Sequence, residues 1–206
     1  MSAGPFLLFG VASLAVAATP GPSWAFVIAT VSRGGLISGL LGIAGNCLGI
    51  VCHAGLAAVG LGAMLTDSTT AFTVLRWMGA GYLIWLGIGY LRAPVMKPTA
   101  DSGKFAGHRV VFRSGFLVNL LNPKVPALML AMLPQTVSVS AKHPILIMFG
   151  TGLLHALIAA GVLSMLAVLV ARSQRFGSNS RMSRFLQSVC GPIMIAAGLL
   201  MLFPFG

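Results

Sequence analysis

The chain has 206 residues, 57% of them hydrophobic and only 7% charged, with a net charge of +11 and a mean hydropathy of +0.97. Soluble domains carry about 25% charged residues, so water is not the main solvent of this chain. The positive balance does not indicate nucleic acid, because the Lys and Arg residues sit in short loops between apolar runs and not on one face of a soluble module.

A membrane-spanning helix needs roughly 20 mostly apolar residues. Apolar runs between charge and turn clusters predict six spans, near 5–30, 38–64, 72–91, 115–136, 144–171 and 185–204. The expected fold is therefore an all-α membrane protein, with residues 1–206 forming one domain. The first run reads as a retained helix and not a signal peptide: no Lys or Arg precedes it, and apolar character resumes at Trp24-Ala25-Phe26-Val27-Ile28.

Inside the first span stands Thr19-Pro20-Gly21-Pro22, followed by Ser23. Proline removes a backbone donor and clashes with the carbonyl one turn earlier, so the helix is expected to break there in mid-membrane. Lipid cannot satisfy the backbone groups that a break releases, so they must face protein or a watery cavity. The second span brings Asn46, Cys47, Cys52 and His53. Cys47, Cys52 and Cys190 have neither CxxC spacing nor acidic or histidine company, so they read as packing residues, with no metal site and no cofactor.

The fourth span holds Asn119 and a second break, Asn122-Pro123-Lys124, and the fifth holds His155. Lys124 is the one charged residue well inside a span, and an unpaired ammonium there costs at least about 2.5–3.5 kcal/mol. It lies about ten residues into its helix, so about 15 Å deep, where snorkelling back to the interface is strained. A cavity role is the better reading. Both acids, Asp67 and Asp101, fall in loops, so no carboxylate within a span answers Lys124. A substrate carboxylate would resolve this, held by Lys124 and by amides at the N-terminal ends of the half-helices. The same lack of acids argues against metal cations and polyamines as cargo. His53 and His155 are the candidates for carrying a proton, although neutral histidines packed between helices would look the same in sequence.

Aligning the chain on itself places Pro20 on Pro123, and His53-Ala54-Gly55-Leu56-Ala57-Ala58 then meets His155-Ala156-Leu157-Ile158-Ala159-Ala160. A weaker match pairs Gly79-Ala80-Gly81-Tyr82-Leu83 with Gly191-Pro192-Ile193-Met194-Ile195. Two units of three helices, about 1–92 and 115–206 around a basic loop of about 93–114, would enter the membrane from opposite faces. Such inverted repeats, broken at corresponding positions, are how secondary transporters build a midplane site. An intramembrane enzyme or assembly factor is the rival reading, weakened because no nucleophile is tied to a base and no span holds an acid. A passive channel is the third.

Ala18-Thr19-Pro20-Gly21-Pro22, the run Gly115-Phe116-Leu117-Val118-Asn119-Leu120-Leu121-Asn122-Pro123-Lys124, and Leu133-Pro134-Gln135 resemble motifs of the LysE family of bacterial amino-acid exporters. Gly79-Ala80-Gly81-Tyr82-Leu83 with Leu86-Gly87 extends the likeness over nearly the whole chain. The resemblance implies a six-helix carrier of the bacterial inner membrane that exports a small amino acid or related metabolite, is driven by protons, and works as a homodimer. Its substrate site would comprise Thr19, Pro20, Gly21, Pro22, Ser23, Asn119, Asn122, Pro123 and Lys124. Two departures stand out: Ser23 replaces the Asp or Asn frequent in the family, which disfavours cationic substrates, and Thr136 replaces an aromatic residue.

Ten Lys and Arg residues fall on the three loops near Arg33, 92–113 and 172–184, against Arg76 and Lys142 on the other face. Positive residues are retained in the cytoplasm, which puts both termini outside. Alkaline phosphatase fused at Gly206 should accordingly be active, and a cytoplasm-dependent reporter at the same position silent.

Overall fold

A computed structural model describes residues 4–67, 107–122, 124–138 and 141–173, with isolated helical positions between 74 and 92 and between 188 and 199. The expected spans near 72–91 and 185–204, most of the basic loop, Cys190 and the repeat segments at 79–83 and 191–195 fall largely outside these residues. So does Pro123.

Every regular element among the described residues is helical. Helix α1 (Gly4–Ala18) is followed by a break at 19–21 and then by α2 (Pro22–Asp67). The expected loop between the first two spans is compressed to one residue: Gly35, at φ 73° and ψ −177°, turns α2 back on itself. Only glycine adopts that conformation without a steric cost. The two arms, 22–34 and 36–67, lie side by side in opposite directions, with Gly39 against Val31 and Gly42 against Phe26.

The second half repeats this order. Helix α3 (His108–Leu120) leads to a break at Leu121 and Asn122, then to helix α4 (Lys124–Met132) and a 3-10 turn, Leu133–Thr136. The pair α3 and α4 is bent by 51° at the break. A short connection then gives the 30-residue helix α5 (Pro144–Ser173). Helix α3 begins within the segment expected to be loop, so Arg109 and Arg113 are helical. Pro22–Gly62 and Pro144–Arg172 are long and apolar enough to cross a membrane, and the bent pair counts as a third span.

Contacts fix the directions. Gly42 and Gly45 of α2 meet Val111 and Phe112 of α3, and Gly49 meets Asn119, so α3 runs parallel to the 36–67 arm. Gly39 meets Ala167, Gly152 meets Ala54 and Gly62 meets Ile145, so α5 runs antiparallel to that arm. Arg33, Arg109 and Arg172 consequently gather at one end of the packed helices, and Lys142 lies at the other.

The burial pattern is that of a protein solvated by lipid. Leu7, Leu56, Leu121, Leu146 and Leu157 are exposed, Leu157 at 72%. Asn46, Asn119, Asn122 and His155 are buried. Apolar surface stays outside because hydrocarbon is as apolar as leucine, while polar groups turn inward to find partners. Two apolar clusters fill the interior. The larger joins α1, the far part of the 36–67 arm, α4 and α5, through residues such as Phe9, Ile50, Leu61, Leu128, Met129 and Met148. The smaller joins the 22–34 arm to the other end of α5 through Val27, Val31, Ile43, Leu163 and Ala167.

Without a hydrophobic effect between helices, tight association rests on small residues that let backbones approach. Gly45 and Gly115 do this at the contact between α2 and α3: a Cβ on Gly45 would strike the Phe112 carbonyl, and one on Gly115 the Gly42 carbonyl. Because backbone cannot swing aside, Gly45→Val and Gly115→Val should each destabilise by about 1–3 kcal/mol or more, read as a lowered melting temperature in detergent. Gly60→Val, with nothing near its Cβ position, should melt close to the unsubstituted protein.

Candidate functional site

The two breaks meet. At the first, Pro20 and Pro22 have no N–H to give to the carbonyls of Val16 and Ala18 one turn earlier, so the end of α1 must find other donors. The Thr19 hydroxyl donates to the Ala15 carbonyl at 2.6 Å, the Thr19 amide to Val16 O at 3.3 Å, and the Trp24 indole Nε1–H to Ala17 O at 2.8 Å. Another carbonyl at the break, Pro20 O, takes a hydrogen bond from Lys124 Nζ at 3.2 Å. The cation of the second break thus serves the backbone of the first.

Lys124 fits there because Gly21 has no side chain. A Cβ on Gly21 would lie 2.7 Å from Lys124 Nζ and 3.3 Å from its Cε. Gly21 and Lys124 each follow the first proline of their break, so they align when Pro20 is placed on Pro123. One member of the pair is the long cation, and the other is the gap that receives it.

Side-chain amides link the breaks to the neighbouring helix. Asn122 caps α4 by accepting the Lys124 backbone N–H on Oδ1 at 3.1 Å, the role an N-cap residue plays. Its Nδ2 donates to Ser23 Oγ at 3.5 Å, and Asn46 Nδ2 donates to the same oxygen at 2.9 Å. Asn119 Nδ2 in turn donates to Asn46 Oδ1 at 3.2 Å. With its acceptor side taken by two amides, the Ser23 hydroxyl keeps its proton to donate. Asn119 Oδ1, beside Gly49, is a buried acceptor without a partner among the described residues.

These groups line one small cavity of about 30 Å³, room for one or two water molecules. Its polar wall is Thr19, Gly21, Ser23, Asn46, Asn119, Asn122 and Lys124, and its apolar wall Val16, Ala17, Trp24, Ile50, Ala159 and Leu163. The cavity lies at the seam of the two apolar clusters, with Val16, Ile50 and Ala159 from the larger and Trp24 and Leu163 from the smaller.

Six of the nine residues expected at a substrate site therefore line one cavity: Thr19, Gly21, Ser23, Asn119, Asn122 and Lys124. Pro20 takes part through its carbonyl, Pro22 begins α2 beside the cavity, and Pro123 is outside the described residues. The histidines stand apart from the lining. His53 Nε2 lies 3.4 Å from Asn119 O, one step behind the polar wall. His155 is fully buried, with Nδ1 unpartnered among the described residues. Trp24 and the aliphatic wall were not singled out in the sequence. The signal for Trp24 was its place next to Ser23 in the first turn after the break.

Apolar helices with lipid-facing leucines, enclosing a polar site between two broken segments, define an integral membrane protein with a buried polar binding chamber. The model of the LysE type translocator family matches residues 14–203, and the chain belongs to this family. It is 34% identical over 117 residues, 57% of each chain, to a homoserine/homoserine lactone efflux protein of Salmonella typhimurium. It is 28% identical over 139 residues to a leucine efflux protein of an Enterobacter species, covering 67% of this chain and 66% of that one. A membrane protein of Synechocystis, itself uncharacterized, is 30% identical over 197 residues, 95% of this chain and 93% of its own. No solved structure matches.

Ser23 is the hub of the amide network, so Ser23→Ala leaves two buried NH₂ groups without their shared acceptor. The expected cost is about 1–3 kcal/mol, seen as a lower melting temperature in detergent. Ser23→Thr keeps the hydroxyl and should melt near the unsubstituted protein.

Proposed function

We propose that the chain is a secondary transporter that exports a small neutral amino acid or related metabolite across the bacterial inner membrane. The observation that carries this reading is the meeting of Lys124 with Ser23, Asn46, Asn119 and Asn122 in one chamber whose described wall includes no acid. In this reading the substrate carboxylate replaces the Pro20 carbonyl as partner of the Lys124 ammonium and accepts the Ser23 hydroxyl proton. Gly21 offers no side-chain acceptor to cap the first N–H groups of α2, so these also face the anion at a helix N-terminus. The substrate ammonium group is met by Asn119 Oδ1, and its side chain by the apolar wall. A second cation from a lysine-like substrate would find no carboxylate to pair with. The named efflux functions of the Salmonella and Enterobacter relatives support amino-acid cargo.

Alternating access through an inverted repeat is supported by the opposite directions of one corresponding pair, since α5 runs against the 36–67 arm. The chamber's place at the seam of two clusters favours a carrier over an open pore, because either side can part while the other stays shut. In the proposed orientation both termini lie outside, and the Arg33, Arg109 and Arg172 end faces the cytoplasm. Proton coupling through His53 is the better fit of the two histidines, because His53 is half-buried and joins the polar wall through the Asn119 carbonyl. A homodimer remains part of the proposal.

Cells overproducing the protein should lose intracellular amino acid to the medium and resist toxic analogues of it. Lys124→Ala should abolish this while reaching the membrane in normal amounts, and a metabolite screen of the medium names the cargo. Normal export by Lys124→Ala would remove the carboxylate-binding role.

A further inference from the structure

The chamber is bipartite, and Trp24 divides its functions. Ser23 and Trp24 are consecutive in the first turn of α2, so they project about 100° apart: Ser23 joins the polar wall, and Trp24 enters the apolar one. The indole is the largest side chain lining the cavity, whose apolar wall it shares with Ile50, Ala159 and Leu163. Its position is set at two points. The ring packs into the smaller cluster with Val27, Val31 and Leu163. Its Nε1–H is held at 2.8 Å by the Ala17 carbonyl, which in an unbroken helix would accept the N–H of Gly21. The tryptophan is therefore registered to the break itself, and with it to Lys124 and the carboxylate end of the chamber.

From this arrangement we infer that Trp24 is the specificity-determining residue of the chamber: its ring closes the side-chain compartment and limits cargo to short aliphatic side chains. The inference rests on the amino-acid reading given above. A substrate whose carboxylate is fixed at Lys124 and Ser23 must point its side chain at the indole, so each added carbon meets the ring. Aromatic amino acids are excluded by size. Removing the ring extends the compartment toward Val27 and Leu163, and lining residues of that kind would receive a phenyl group. A hydrophobic pocket discriminates by about 10-fold or more per methylene, so the change in preference should be of at least that order.

The test uses the purified full chain in proteoliposomes, with counterflow of labelled leucine and phenylalanine by the unsubstituted protein, Trp24→Leu and Trp24→Ala. The unsubstituted protein should favour leucine, and the phenylalanine-to-leucine ratio should rise stepwise, by roughly 10-fold or more for Trp24→Ala. An unchanged ratio, or equal loss of both substrates, overturns the inference and leaves Trp24 a structural brace. Transport of no amino acid by the unsubstituted protein overturns the amino-acid reading instead, and this inference with it. Should the Trp24 variants fail to fold, Trp77→Phe/Trp85→Phe, at two exposed positions, leaves Trp24 as the sole tryptophan. Its emission should shift on adding leucine and not on adding glycine, which has no side chain to reach the ring. Leucine transport without any such shift overturns the inference.

Discussion

The structure is organised around one hydrogen bond, from Lys124 Nζ to the carbonyl of Pro20. Each of its ends is a liability that the other answers. A proline in a membrane helix strands carbonyls that lipid cannot solvate, and an ammonium in mid-membrane demands an acceptor. No acid lines the described chamber, and backbone oxygen released by the opposite break accepts from Lys124. Helix order follows from this need: α3 must lie parallel to the 36–67 arm, and the 22–34 arm antiparallel to it, for residues 20 and 124 to meet. The glycines at 42, 45, 49 and 115 let the backbones come close enough.

The same bond explains the polar shell. A lone cation on a carbonyl would be a weak anchor, but Asn122 fixes the amide beneath Lys124, and Ser23 gathers Asn122 and Asn46 onto one oxygen. Buried polar networks are stabilising when their members are satisfied and costly when they are not. Here the unsatisfied atoms are informative. Asn119 Oδ1 is left over in a chamber that otherwise closes neatly, and an acceptor in such a place suits a ligand that brings a donor.

Much of this was legible in the sequence. Proline chemistry located both breaks, and the cost of burying charge singled out Lys124. Other features were hidden for physical reasons. The turn at Gly35 looked like a loop of several residues, because nothing in hydropathy distinguishes a glycine that reverses a helix from the many that pack helices together. The start of α3 at His108 was masked by Arg109 and Arg113, charges that read as loop but sit on a helix end near the interface. Trp24 was read only as a sign that apolar chain resumes, since its contact with Ala17 depends on how the break folds back. Asn46 emerged as a bridge only when the 36–67 arm was placed against Ser23. The two histidines that align in sequence also differ: His53 is half-buried and near Asn119, whereas His155 is buried.

The one-residue turn at Gly35 has a mechanical consequence. Two helices joined by a long loop slide independently, but the 22–34 and 36–67 arms are pinned along their length by Val31 on Gly39, Phe26 on Gly42 and Ser23 on Asn46. They form a stiff lever with its elbow locked. Bending of the first span is then concentrated in Thr19, Pro20 and Gly21, beside which Lys124 lies, so the joint and the buried charge occupy the same place.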